Sequence, residues 1–425
     1  MNFITTTSPL KARFKHRYSD FIVEEVYEEK EADDSVREVV CNVKRFNIPF
    51  EERGEFEKLI VPENTENKEH LILELEKINT DNNKAISLIA RGTGVSNKRI
   101  GYAGMKDKRG ITCQRISIYE PNIEKLKRFG VRGLELRNAI WGERLELGDL
   151  KGNNFNIVLR NIENNEDEIK KIIEEFSKQI KNGIPNFFGS QRFGGKRDVT
   201  HKVGKFLLLD KHREAIMLYL TETFEEEKED IKKARINLAK TNDFRQALKE
   251  FPRECRTELA LLNKLVHNPN DFLGSLNALP KKIRYLFIHA YQSYLFNNFL
   301  EKRIELFGEK AMEKIEEDIL EDGIPTGLLP GFESTFSEGK MGEIEKEVFE
   351  KEQISFELFK VRGLSELSSK GSRKKLVLFV KNFKLEEIID DEFNEGKKAV
   401  RISFYLDKGN YATTVLRELM KEEVF

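Results

Sequence analysis

Apolar and polar positions alternate with a period of two over residues 70–78 (HLILELEKI) and 111–119 (ITCQRISIY). A strand with one face on a core and one toward water carries this pattern, so strands are expected at both places. Residues 153–160 (NNFNIVLR) and 20–26 (DFIVEEV, opening after a polar turn) read the same way. Residues 82–91 and 165–182 place their apolar positions at helical spacing instead. Gly92 and Gly94 stand where the first helix would end, and Gly183 where the second would stop. Ser96 can cap a further short helix. The N-terminal part is therefore mixed α and β, with an antiparallel or mixed sheet open on one face.

After about residue 200 the texture changes. Residues 203–250 and 279–320 read as amphipathic, charge-laced helices. Residues 322–332 (DGIPTGLLPGF) read as a Gly- and Pro-rich loop. Strand-like runs return at 376–381 and 399–406. The expectation is an α/β sheet domain interrupted by a more helical insert, with the chain rejoining the first sheet near its end. Neither an internal repeat nor a low-complexity tract is present.

The chain has 425 residues, 39% of them hydrophobic, enough for two or three domains with a sizeable core. No run approaches the roughly 20 consecutive apolar residues that span a bilayer. The start, MNFITTTSPLKARFKHR, lacks the apolar centre of a signal peptide. These features point to a soluble, cytoplasmic protein with no membrane partner. Cys41, Cys113 and Cys255 lie far apart without CxxC spacing, and the six histidines form no ligand pair. Neither a disulfide framework nor a bound metal is expected. Residues 193–198 (FGGKRD) approach a phosphate loop, but Lys196 is followed by Arg197 rather than Ser or Thr. No nucleoside triphosphate is expected there.

The net charge of −1 hides local asymmetry. Residues 1–17 carry Lys11, Arg13, Lys15 and Arg17 with no acid. Residues 95–115 carry Lys98, Arg99, Lys106, Lys108, Arg109 and Arg115 against Asp107 alone. Residues 186–205 carry Arg192, Lys196, Arg197, Lys202 and Lys205 against Asp198 alone. Any one such island is most simply a solvated face. Phosphate backbones need islands of this kind, however, and these three coincide with Gly and aromatic motifs.

Two segments carry candidate chemistry. Residues 101–114 (GYAGMKDKRGITCQ) place Asp107 among cations and between glycines that allow close approach. Nearby cations favour the ionised carboxylate that a nucleophile or base requires. The same pattern describes a surface turn holding a salt-bridged Asp, which is commoner in an arbitrary sequence. Residues 186–194 (NFFGSQRFG) set Phe187, Phe188 and Phe193 beside Arg192 and Gln191. Such a set can stack on a base and hydrogen-bond its edge, though one or two of the three rings are expected in the core.

With these residues in view, the chain resembles the TruD family of tRNA pseudouridine synthases. The GMKDK…T.Q segment is similar to that family's catalytic motif, and NFFGSQRFG to its second signature. Lys15 with the DF.V.E run at 20–25, YLFN at 294–297, LPG at 329–331 and GNYATTVLRELM at 409–420 also match, in the family's order. The resemblance spans about Lys15 to Met420. It implies a pseudouridine synthase catalytic domain of mixed, largely antiparallel sheet over 1–195 plus 360–425, interrupted by a helical insertion domain over 196–359. It implies Asp107 as the nucleophile and Phe188 as the aromatic packed on the target base, where other pseudouridine synthases carry Tyr. It implies that Asn186 helps to organise the site and that Lys15 and Lys106 are basic groups near the nucleophile. Lys106 and Arg192 would hold Asp107 ionised or hold phosphates. The substrate implied is uridine at position 13 of tRNA, although some relatives act elsewhere. The isomerisation exchanges no electrons or groups with the outside, so no cofactor is implied. Nothing in the sequence sets an oligomeric state.

Rival readings explain less of the sequence. A non-catalytic RNA-binding or RNA-folding protein shares the basic islands but gives no reason for Asp107 between Lys106 and Lys108. A metal-dependent nuclease would show clustered carboxylates, and a methyltransferase a Gly-rich cofactor loop after a strand; neither stands out. A helical interaction protein fits the middle segment alone.

Overall fold

The computed structural model describes residues 3–30, 35–48 and 58–424. The strands, in chain order, are β1 (Phe21–Lys30), β2 (Val36–Val40), β3 (His70–Ile78), β4 (Ile100–Tyr102), β5 (Ile111–Tyr119), β6 (Leu134–Gly142), β7 (Gly152–Ile162), β8 (Ile184–Pro185), β9 (Leu320–Glu321), β10 (Ile324–Leu329), β11 (Ser372–Lys375), β12 (Val377–Leu378), β13 (Lys381–Asp390) and β14 (Lys398–Asp407). Among the described residues, one mixed sheet of nine strands runs β13-β14-β7-β1-β5-β3-β6, with β2 beside β1 and β4 beside β5. Its one parallel pair is β1 with β5, where Ile22 stands opposite Ile111. The neighbouring β1–β7, β7–β14 and β3–β5 pairs are antiparallel.

The helices are α1 (Asn82–Thr93), α2 (Ile123–Lys127), α3 (Glu166–Gln179), α4 (Thr200–Leu208), α5 (His212–Thr221), α6 (Glu229–Thr241), α7 (Phe244–Glu250), α8 (Arg256–His267), α9 (Phe272–Leu276), α10 (Lys281–Phe307), α11 (Gly339–Glu352) and α12 (Ala412–Met420). The Asn165 side chain opens α3 by accepting from the Glu168 amide, and Glu168 returns a bond to the Asn165 amide. Such a capping box satisfies two otherwise orphaned donors. Ile169, Ile172, Ile173 and Phe176 of α3 then pack with α12 onto Phe155, Ile157 and Leu159 of β7 and Val400, Ile402 and Phe404 of β14. Each fully buried side chain of this size contributes about 1.5–3 kcal/mol. At the other end of the sheet, Ile86 and Ile89 of α1 cover Leu71, Leu73 and Leu75 of β3.

The alternation in β3 marks a strand, but its polar face is not in water. Glu76 is buried, accepts from the backbone amides of Lys44 and Phe46, and pairs with Arg137. Glu74 also pairs with Arg137, at 3.2 Å. A polar stripe covered by its own counter-charges looks the same in sequence as one facing solvent.

Helices α4 to α11 build a second core that extends from Phe187 to Val377 around α10. A Cβ on Gly204 of α4 would lie 2.1 Å from the Phe287 carbonyl oxygen, so only glycine lets α4 and α10 approach this closely. Residues 322–332, expected as a loop, contain β10, which lies between β9 and β11. Gly327 is there for packing rather than turning: a Cβ would sit 2.7 Å from Leu376 and 2.9 Å from Phe296. The expected strand at 376–381 is short, ending at Leu378, and the polar edge strand β13 that follows has no apolar rhythm to reveal it. Residues 361–376 pack with the helical core rather than with the large sheet.

The chain leaves the sheet along β8 and returns along β12. These two pair antiparallel, with Pro185 opposite Val377 and Ile184 opposite Leu378. Gly183 precedes this neck at φ +89°, and a Cβ there would meet Val377 at 2.2 Å. Among the described residues, no helix is long and apolar enough to cross a membrane.

Candidate active site

Asp107 sits in the loop between β4 and β5. The loop is bound from below by groups on neighbouring elements. Asn82, at the start of α1, donates to the Gly104 carbonyl at 3.1 Å and accepts from the Lys106 amide at 3.2 Å. Gln114 of β5 also donates to the Gly104 carbonyl. Lys77 of β3 donates to the carbonyls of Asp107 and Thr80, both at 2.8 Å. Burial lowers the Lys77 pKa to about 8. Lys77 also reaches the Lys106 carbonyl, at 3.5 Å, so five side-chain bonds fix the loop backbone before any partner of the Asp107 carboxylate is counted.

That carboxylate accepts from Lys15 Nζ at 2.8 Å and is 43% exposed, facing a cleft. Lys15 is buried, and its ammonium lies 3.9 Å from the centroid of the Phe21 ring. Its backbone is left-handed, φ +54°, which costs about 1–2 kcal/mol for a residue with a Cβ. The Lys15–Asp107 pair and this turn are therefore held by the surrounding fold.

Lys106, adjacent in sequence, points elsewhere. Its ammonium pairs with Glu25 of β1, a fully buried carboxylate that also accepts from the Tyr27 hydroxyl and the Arg115 amide. Burial and the neighbouring Glu25 charge push the Tyr27 pKa far above its ordinary value. Arg109 donates to the His16 carbonyl. Among the described residues, Asp107 forms an ion pair with Lys15 and with neither Lys106 nor Arg192. Of the two roles expected for Lys106 and Arg192, holding Asp107 ionised or holding phosphates, the first is not supported by a direct ion pair. Lys106 braces the loop from beneath by its own pair, and Arg192 lies with Phe188.

The second half of the site is built on the segment after β8. Asn186 is buried; its side-chain amide donates to the Lys375 carbonyl and to the Asn410 side chain, while its own carbonyl oxygen Oδ1 has no partner among the described residues. Phe187 and Phe193 are core, and Phe188 is half-buried. Asn297 of α10 clamps Phe188 by accepting from its amide and donating to its carbonyl, each at 2.9 Å. Phe296 meets the Phe188 ring edge-to-face at 5.5 Å. The Arg192 guanidinium lies 5.3 Å from the Phe188 centroid, and Lys374 Nζ 4.8 Å from it. Burial lowers the pKa of both Arg192 and Lys374.

The two halves open into one groove. A cavity of about 760 Å³ is lined by Phe21, Lys106 and Asp107, and one of about 1010 Å³ by Asn186, Phe188, Arg192 and Lys374. They share Gly148, Leu150 and the Lys408–Tyr411 turn. Four of the five candidates thus line the groove with Asp107, and Lys15 reaches Asp107 from behind.

The basic islands are partly spent inside the molecule. Arg197 and Arg235 converge on Glu258, Lys205 pairs with Glu352 and Arg115 with Glu29. Among the described residues, no cluster of three His, Cys, Asp or Glu could hold a metal ion. Sequence reasoning missed Lys77, Asn82 and Lys374. Lys77 left one signal, as a cation inside an apolar strand; Lys374 sat unmarked in a run of basic residues.

A family model described as tRNA pseudouridine synthase D (TruD) matches residues 1–323 and 306–419. The chain is 39% identical over 409 residues to a protein named probable tRNA pseudouridine synthase D in Methanosarcina barkeri, covering 87% of this chain and 92% of that one. It is 34% identical to the Methanococcus vannielii protein of the same name, over 98% and 97% of the two chains. A crystal structure of a TruD protein from Methanosarcina mazei superposes with a TM-score of 0.76 at 33% identity, covering 99% of this chain and 96% of that one.

Proposed function

Because the chain belongs to the tRNA pseudouridine synthase D (TruD) family of isomerases, we propose that it converts a uridine of tRNA to pseudouridine with Asp107 as the nucleophile. The observation that carries this reading is the 2.8 Å pair between Lys15 and the Asp107 carboxylate, in a groove continuous with Phe188. Position 13 is the proposed target, and the cytoplasm the proposed location. The insertion domain, expected over 196–359, is proposed to take in the whole unit between β8 and β12, because Phe187 and residues 361–376 share its core, and it would close the Phe188 side of the groove.

A base stacked inside a folded tRNA cannot be reached, so the target nucleotide flips out at a cost of a few kcal/mol. Stacking against Phe188, about 1–3 kcal/mol, offsets part of that cost. An oxygen of the Asp107 carboxylate attacks carbon 1′ of the ribose, or takes a proton from carbon 2′. The bond from carbon 1′ to N1 breaks, and its electron pair leaves with the uracil. The uracil turns within the groove and bonds through carbon 5 to carbon 1′, as the bond from carbon 1′ to the Asp107 oxygen breaks or, on the elimination route, as Asp107 returns the proton to carbon 2′. The carbon 5 proton is then lost and N1 gains one, which leaves the atoms of uridine in a new arrangement. Lys15 keeps Asp107 oriented, and Glu25 with Lys106 keeps the loop in place.

Unmodified tRNA transcripts incubated with the protein, then mapped by carbodiimide and reverse transcription, test this directly. The expected result is a stop at position 13 with the native chain and none with Asp107→Asn, whose tRNA binding persists. A stop elsewhere moves the target. Turnover by Asp107→Asn overturns the nucleophile. Binding without any stop favours the non-catalytic RNA-binding reading.

A further inference from the structure

Lys374 is the cation that the functional reading leaves unexplained. It lies on β11, opposite Gly327 of β10, and lines the Phe188 half of the groove. Its ammonium sits between two rings, 4.8 Å from the Phe188 centroid and 5.0 Å from that of Phe296. One of its three hydrogens goes to the Asn186 carbonyl, at 2.6 Å. Among the described residues, no carboxylate pairs with it. Arg192, also against the Phe188 ring, spends Nε on Ser293 Oγ and likewise has no carboxylate partner.

Both cations are half-buried against the Phe188 ring, and a partly desolvated charge without a counter-ion is costly to fold. Among the described residues, buried arginines elsewhere are paired with carboxylates, Arg160 with Asp20 and Asp391, Arg235 with Glu227 and Glu258, Arg303 with Asp318, while the buried Lys77 ammonium is held by carbonyl oxygens inside the protein. Lys374 and Arg192 differ from these in lining the groove, where an anion that arrives with the substrate can meet them.

We propose that Lys374, together with Arg192, holds the detached uracil as an anion during the isomerisation. The inference rests on the pseudouridine synthase reading. When the bond from carbon 1′ to N1 breaks, the electron pair stays on N1 and spreads to O2 and O4. The base is neutral before this step, neutral again once its electron pair has bonded carbon 5 to carbon 1′, and stays neutral as the carbon 5 proton is exchanged for one on N1. The charge exists only between cleavage and that bonding, at the place where Phe188 receives the ring. Fixed cations there favour the intermediate over the bound uridine, which is the requirement for a gain in rate rather than in affinity. A phosphate of the tRNA backbone is the competing anion, but it would be present from the first encounter and would act on binding.

The test uses the full chain with two tRNA transcripts, one bearing uridine and the other 5-fluorouridine. Fluorine makes the uracil a better leaving anion, so bond cleavage needs less help. Lys374→Met is expected to lower the single-turnover loss of uridine about 100-fold, by analogy with removal of one oxyanion donor. The loss on 5-fluorouridine is expected to be less than 10-fold, with the Kd for tRNA and its salt dependence unchanged. Lys374→Arg should restore much of the rate. If Lys374→Met does not fold, Arg192→Met supplies the same comparison. Equal losses on the two substrates, or no loss, overturn the inference. So does a weaker Kd with a salt slope reduced by about one and an unchanged saturated rate, the mark of a phosphate contact. A native chain inert on every tRNA would instead overturn the functional reading and take this inference with it.

Discussion

Lys15 and Asp107 lie 92 positions apart in the chain, yet their side chains meet at 2.8 Å. The lysine is buried against Phe21 and the aspartate is 43% exposed, so the fold holds the cation and presents the anion. Removing the cation should therefore harm the reaction more than the stability. A charge-assisted bond contributes about 1.5–3 kcal/mol. Lys15→Met is expected to lower the single-turnover rate on tRNA about 10- to 150-fold. Urea unfolding should shift little by comparison. An unchanged rate would place the pair outside the chemistry.

Glu25 behaves differently, because it is fully buried and serves Lys106, Tyr27 and the Arg115 amide at once. Glu25→Gln leaves the Lys106 ammonium buried without its charge. Breaking a buried pair this way costs about 3–5 kcal/mol. The urea midpoint should fall accordingly, and Glu25→Gln combined with Lys106→Met should recover part of the loss. If the single change leaves the midpoint in place, the pair is not what secures the loop.

Lys77 gives a pH dependence whose sign can be worked out. Burial holds its folded pKa at about 8, against 10.5 for an ordinary lysine. Between these values the unfolded chain keeps the proton and the folded chain has released it. The unfolded state then binds more protons, so this group makes stability rise with pH in that window, by up to about 1.4 kcal/mol per unit. Below pH 8 both states are protonated and the slope disappears. Denaturation of the native chain and Lys77→Met from pH 7 to 10 should show the native chain gaining on the variant above pH 8. Parallel curves would contradict the burial.

Asn297 holds Phe188 by two backbone bonds at 2.9 Å. Asn297→Leu leaves an amide and a carbonyl unpaired, at about 1–3 kcal/mol each if both stay buried. The expected signature is a fall in kcat with the salt dependence of tRNA binding unchanged, since no cation is touched. A rise in KM alone would show that Phe188 contributes to encounter rather than to the flipped state.

The sequence announced the strands with one apolar face most clearly. The segments 70–78 and 111–119 coincide with β3 and β5, and Gly94 ends α1 in a left-handed turn, as its position suggests. The motifs also contain residues that line the groove on either side of Asp107. What stayed hidden was pairing. The sequence places Lys106 beside Asp107, but successive residues of a loop face different ways, and Glu25 captures the ammonium. It places Lys374 in a basic run, with no mark that its ammonium lies between two aromatic rings. Residues 322–332 have the composition of a turn, yet β9 and β11 on either side make part of them a strand. Partners distant in sequence decided each of these cases.

The pairing of β8 with β12 has a kinetic meaning. Arg401 bonds Asn156 across 245 positions, a contact that would close an enormous loop if the intervening chain were unstructured. The entropy of closing a loop grows with its length, and slow folding follows from such distant contacts. Once the helical unit has folded, its two ends stand side by side at Pro185 and Val377. To β7 and β14, the long excursion then behaves as a short tether. The large sheet would be completed last, by strands that wait for the helices to bring them together.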